Sequence, residues 1–67
     1  MERKTIALSL ATGIALARYD GESATHYSVE TRDTVIYASF NKDRAVHEFC
    51  KAIDYALGFI GDKEAIE

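Results

Sequence analysis

KTIALSLATGIALARY, residues 4–19, decides what kind of fold this chain adopts. Ile6, Leu8, Leu10, Ile14 and Leu16 occupy even positions, and Ala7, Ser9, Ala11, Ala15 and Ala17 odd ones. Large and small residues alternate, which is the period of a strand, whose successive side chains point to opposite faces. A helix gathers its large residues at steps of three and four. Ile6, Leu10, Ile14 and Ala17 meet that spacing, but Leu8 and Leu16 fall outside it. Alanine favours helix, yet the alternation outweighs it, and residues 4–19 read as strand. Gly13 marks either a bulge in one long strand or a tight turn between two short ones.

The same letters outline a secretory signal, with Arg3 and Lys4 ahead of an apolar run that ends in Ala15-Leu16-Ala17. The apolar region of a signal is continuous. Here Ser9, Thr12 and Gly13 interrupt it, and Glu2 stands where a basic residue belongs. A membrane-spanning helix needs about 20 apolar residues, and this run is too short.

Outward from this stretch the pattern is plainer. Asp20-Gly21 is a hairpin signal between two alternating runs. Thr25 to Thr31 follows, with Tyr27 and Val29 on one face and His26, Ser28 and Glu30 on the other. Thr31-Arg32-Asp33 is a second turn, and Thr34 to Phe40 is β-branched and aromatic, hence a strand. Asn41 is a suitable N-cap, with Phe40 placed as a hydrophobic staple. Val46, Phe49, Cys50, Ile53, Leu57 and Ile60 then form one apolar stripe at helical spacing. Arg44 and Glu48 make an i,i+4 pair. Gly61 reads as the residue just past the helix, followed by an acidic tail over residues 62–67.

The fold expected is α+β in a single domain over residues 1–67. An antiparallel meander of three to four strands (about 4–19, 24–31 and 34–40) precedes one long amphipathic helix (about 42–60) packed on one sheet face. The large even residues of the first strand, with Ile36, Ala38 and Phe40, are expected beneath the helix. The open face is then expected to hold Ala7, Ser9, Ala11, Ala15, Ala17, Tyr19, Val35, Tyr37 and Ser39.

The chain is 48% apolar and 28% charged, an ordinary globular composition. A domain of 67 residues has a marginal core, which small scaffolds supplement with disulfides, metals or a second subunit. Cys50 is the only cysteine, so no disulfide forms within the chain, and a lone thiol fits the reducing cytoplasm. The net charge of −3 is uneven. Residues 1–19 carry +2, residues 20–40 carry −3, residues 41–61 are balanced and residues 62–67 carry −2. There is no basic stripe, so direct binding of nucleic acid is not expected.

Candidate chemistry is sparse. Asp43, His47 and Cys50 share a helix face, but zinc wants four ligands and no CxxC or HxxxH completes the set. Cys50 lies on the apolar stripe, where a free cysteine packs as a small hydrophobe rather than as a nucleophile. Gly13, Gly21, Gly58 and Gly61 match no phosphate-binding pattern. No catalytic, cofactor or metal residues are expected, and the chain is read as a non-enzyme. The residues expected to meet a partner are Asp20, Glu22, Glu30 and Asp33, by their charge, and Tyr19 and Tyr37, by their place on the open face.

In its length, in the acidic cluster Asp20, Glu22, Glu30 and Asp33, and in the tail Asp62-Lys63-Glu64, the chain resembles small phage-encoded inhibitors of the anti-CRISPR type. This likeness is one of overall style and carries no motif. It implies stoichiometric binding to a basic surface of a host protein or nucleoprotein complex, such as a nucleic-acid channel. The +2 segment at residues 1–19 departs from a uniformly acidic mimic. The alternative expectation is a structural or accessory protein that assembles as a homodimer or larger oligomer through its open sheet face.

Overall fold

A computed structural model describes the backbone of residues 1–65 and the side chains of residues 1–58. Four strands, β1 (Glu2–Ser9), β2 (Ile14–Asp20), β3 (Thr25–Glu30) and β4 (Val35–Ser39), precede one helix, α1 (Lys42–Ala65). The strands form one antiparallel sheet in the order β1-β2-β3-β4. This is the expected α+β meander with a helix on one face.

Gly13 makes a turn, not a bulge. Its φ of +76° is a left-handed value that a side chain tolerates poorly. Its amide donates to the Ser9 carbonyl at 2.8 Å, and Thr12 Oγ1 donates to Ser9 Oγ at 2.8 Å. The β2–β3 connection closes with the Gly21 amide donating to the Ala24 carbonyl at 2.8 Å. A Cβ at Gly21 would lie 3.0 Å from that carbonyl oxygen, so a side chain there would require the turn to shift by a few tenths of an ångström. In the β3–β4 turn the Thr31 hydroxyl accepts from the amides of Asp33 and Thr34.

Turn length then decides which side chains meet. The loop over residues 10–13 pairs Ser9 with Ile14 and Leu8 with Ala15. Odd residues near the end of β1 therefore share a face with the even residues of β2. A register shift between Thr5 and Ala7 leaves Ile6 as the bulged residue. Ile14 and Leu16 sit beneath the helix as expected, but Ile6, Leu8 and Leu10 do not join them. Ala7 packs there instead, and the three large residues are 42%, 55% and 88% exposed.

A second register shift, between Val29 and Glu30, acts on β4. Tyr37 pairs with Val29 and Ser39 with Tyr27, so both lie on the helix side. Ala38 pairs with Ser28, on the open face. The expected sidedness of Tyr37, Ser39, Ala38 and Phe40 is thus reversed. Ile36, at the shift, remains on the helix side, in a groove with Ile14 and Ala52.

Asn41 caps α1 as expected. Its Oδ1 accepts from the Arg44 amide at 3.1 Å, and its carbonyl accepts from the Ala45 amide at 3.1 Å. Phe40 is not a staple; it turns onto the open face, edge-on to His26. Arg44 donates from Nε to Tyr37 Oη at 3.3 Å, while Glu48 pairs with Lys51 at 3.9 Å. The helix continues through Gly61 to Ala65, so Gly61 does not end it. The acidic tail is helical up to Ala65, and residues 66–67 lie outside the described residues. Cys50 is exposed, because it lies on the flank of the stripe rather than at its centre.

The core is thin. Ile14, Leu16, Val29 and Ala45 are buried, with Tyr27, Tyr37, Phe49, Ala52, Ile53 and Ala56 packed against them. The helix contacts β2, β3 and β4. Its 24 residues span about 36 Å, and the molecule measures 51 × 20 × 16 Å.

Candidate interaction surface

On the face away from the helix, cross-strand pairing arranges side chains in three rows. Arg3 lies opposite Tyr19, and Tyr19 opposite His26, with Phe40 continuing the row. The middle row is Thr5, Ala17, Ser28 and Ala38. The last row is Leu8, Ala15, Glu30 and Val35.

The first row is ordered by its own contacts. The Tyr19 and His26 rings stack with centroids 4.9 Å apart and 5° from parallel. The Phe40 ring meets His26 edge-on at 6.2 Å. Such offset and edge-on aromatic contacts add about 0.5–1.5 kcal/mol beyond burial. The Arg3 guanidinium lies 6.0 Å from the Tyr19 ring centroid, at the limit of a cation–π contact.

Glu30 ties the outer rows together. Tyr19 Oη donates to Glu30 Oε2 at 2.7 Å. Arg3 donates from Nη2 to Glu30 Oε1 at 2.8 Å and from Nε to Tyr19 Oη at 3.2 Å. Tyr19 and Arg3 must reach across the middle row to make these bonds. That explains why Ala17 and Ser28 are 0% and 2% exposed on a face that no helix covers. Ser28 Oγ is sealed beneath this lid, near enough to the Glu30 carboxylate to help lower its pKa but without a hydrogen bond of regular geometry. Burial pushes the Glu30 carboxyl up, but the bonds from Tyr19 and Arg3 outweigh it and hold the group below its ordinary value.

The expected acidic cluster is dispersed. Asp20 pairs with Thr25 at one end of the sheet, where Arg18 Nε donates to its carboxylate at 2.9 Å. The bond from Arg18, then that from Thr25, lowers its pKa. Asp20 and Glu30 lie on opposite faces, and each is matched by an arginine. Glu22 and Asp33 stand in the β2–β3 and β3–β4 turns, at opposite ends of the sheet. That is about 20 Å at 3.3 Å per residue. Among the described residues neither Glu22 nor Asp33 has an ion-pair partner. Of the two tyrosines, Tyr19 is on the open face and Tyr37 is beneath α1.

His26, Phe40 and Arg3 were not among the expected contact residues. The signal for His26 lay in the turn: once Asp20 and Thr25 close the hairpin, Tyr19 must oppose His26. The surface hollows are shallow. One of about 340 Å³ lies beside Arg3, Leu8, Ala15 and Glu30, and another of about 420 Å³ beside Asp43, Arg44 and His47. Among the described residues no three His, Cys, Asp or Glu side chains gather as metal ligands would. No helix among them is long and apolar enough to cross a membrane.

The fold and this surface define a small α+β domain with one helix-covered face and one open, aromatic face. No protein-family model, curated protein or solved structure matches the chain.

Proposed function

We propose that the chain is a non-catalytic, cytoplasmic protein-interaction domain. It acts by stoichiometric occupation of a surface on a host protein or nucleoprotein complex, in the manner of the small phage-encoded inhibitors it resembles. The contact is made by the open sheet face, led by Tyr19, His26 and Phe40.

The observation that carries this reading is the stacked row itself. Phe40 is 74% exposed, yet its neighbours are fixed by stacking and by Glu30. Rigid, exposed aromatics supply large contact area at low entropic cost, and such residues dominate interface energetics. Of the four acidic residues that the basic-site version of the inhibitor reading rests on, Asp20 and Glu30 are matched by arginines, and Glu22 and Asp33 stand without an ion pair among the described residues, at the ends of the face.

The test is affinity capture from a lysate of the source cell, with wild type and Phe40→Glu as baits. A protein held at one-to-one stoichiometry by wild type and lost by folded Phe40→Glu supports the reading. Retention by Phe40→Glu, with loss on Glu22→Lys/Asp33→Lys, moves the contact to the acidic turns.

A further inference from the structure

We propose that the hollow over Ala15, on the open sheet face, is a carboxylate site, which takes the side chain of an aspartate or glutamate presented by the partner. The identity of the occupant rests on the reading of the open face above. The site itself rests on its own residues.

The hollow follows from one small residue. Leu8, Ala15 and Glu30 lie side by side across β1, β2 and β3. Ala15 is too short to fill the space between its neighbours, and Gly13 adds no side chain. A hollow of about 340 Å³ results, with Arg3 and Arg32 also on its rim. Its floor at Ala15 and its wall at Leu8 are apolar.

The rim holds unused donors. Arg3 is fixed in place: Nη1 donates to Thr5 Oγ1 at 2.8 Å and Nη2 to Glu30 Oε1 at 2.8 Å. Its Nε–H is shared between Tyr19 Oη and Glu30 Oε1, at 3.2 Å each. A guanidinium has five N–H donors. These contacts engage three and leave one on each Nη. Arg32 is exposed in the β3–β4 turn and makes no hydrogen bond or ion pair among the described residues.

The charge has a definite sign. Arg3 and Arg32 against Glu30 leave the rim at +1, on a chain whose net charge is −3. Both Glu30 oxygens are already engaged, by Arg3 and by Tyr19. Asp33 follows Arg32 in sequence but lines the neighbouring hollow by Val35. A preplaced guanidinium with a free N–H on each terminal nitrogen, and a second guanidinium on the same rim, suits a carboxylate. Because Arg3 is already held, it loses little side-chain freedom on accepting a further bond. The single charge of a carboxylate matches the +1 of the rim, and its methylenes suit the floor at Ala15 and Leu8. A phosphate brings more charge and no apolar stem.

The experiment is an NMR titration of the isolated chain with sodium butyrate, which carries the carboxylate and methylenes of a glutamate side chain. Butyramide and inorganic phosphate are the comparisons, at fixed ionic strength, on wild type, Arg32→Gln and Ala15→Val. Butyrate is expected to shift the amides of Thr5, Ala15 and Thr31 saturably, in the millimolar range that suits so small a ligand. Butyramide is expected to leave them in place. Arg32→Gln, in an exposed turn, should weaken butyrate about tenfold, as loss of a charge-assisted bond does. Ala15→Val, which fills the floor, should remove binding with the spectrum still that of a folded chain. No saturable shift with butyrate overturns the proposal. So do equal shifts with butyramide, tighter binding of phosphate, or butyrate affinity unchanged in Arg32→Gln. The lysate capture separates this proposal from the reading of the face. A partner lost by Phe40→Glu but kept in full by Arg32→Gln leaves that reading standing and overturns the site's occupant. Failure of wild type to capture any partner counts against the reading of the face, and the butyrate titration still decides the site.

Discussion

Tyr19 Oη donates a 2.7 Å hydrogen bond to Glu30 Oε2 across a row of small side chains. This one contact orders the open face: it holds Tyr19 flat against His26 and, with Arg3, roofs Ala17 and Ser28. A hydrogen bond to a charged group contributes about 1.5–3 kcal/mol to stability. Tyr19→Phe keeps the ring and removes the bond. It is expected to cost about 1.5 kcal/mol in urea unfolding, and a double-mutant cycle with Glu30→Gln should show the two losses to be coupled. Additive losses would mean the bond does not form.

The Glu30 carboxyl is held below its ordinary value of 4.5, which sets a pH dependence. A carboxyl whose pKa is lowered by folding stabilises the native state above its unfolded value. That stability is lost as the pH falls through the folded value. The urea midpoint of wild type should therefore fall more steeply below pH 4.5 than that of Glu30→Gln. Parallel curves would contradict the assignment.

Ser28 Oγ is buried with no hydrogen bond of regular geometry, its one polar neighbour being the Glu30 carboxylate. A buried hydroxyl left unpaired is a cost of about 1–3 kcal/mol. Ser28→Ala is accordingly expected to be neutral or stabilising, read as an unchanged or higher melting temperature. Ser28→Leu, forced beneath Tyr19, is expected to destabilise by about 1–3 kcal/mol. A marked loss in Ser28→Ala would show that the hydroxyl is bonded.

Asn41 caps α1 through its side-chain oxygen. Asn41→Ala is expected to cost about 1 kcal/mol, and Asn41→Asp or Asn41→Ser to restore most of it. Thermal melts followed by circular dichroism would check the series. Equal stability of all four proteins would deny the cap a role.

Much of this fold could be read from local pattern. Alternation placed Ile14 and Leu16 on one face and Ala15, Ala17 and Tyr19 on the other, where they lie. Helical spacing put Phe49 and Ile53 against the sheet, and Asn41 announced the start of α1. What alternation lacks is the relation between one strand and the next. It defines two faces for β1 and two for β2, but the loop at residues 10–13 decides which of them coincide, and it put Leu8 beside Ala15. The bulge at Ile36 did the same to β4, taking Tyr37 under the helix and bringing Phe40 to His26. The acidic residues looked clustered because they are near in sequence. The hairpin separates them, and Arg18 and Arg3, from other strands or positions, match two of the four. Cys50 was misplaced by the width of the stripe, since its flank is as apolar as its centre.

The central claim is that the open sheet face, led by the Tyr19–His26–Phe40 row, is where this chain meets its partner. The most direct measurement is quantitative capture from the source-cell lysate, comparing wild type with Phe40→Glu, Ala38→Arg and Glu22→Lys/Asp33→Lys, each first shown to be folded. The account predicts one protein or complex captured at stoichiometric yield by wild type and by the turn variant, and lost by both open-face variants. Capture that persists in Phe40→Glu and Ala38→Arg, or that only the turn variant abolishes, would contradict it.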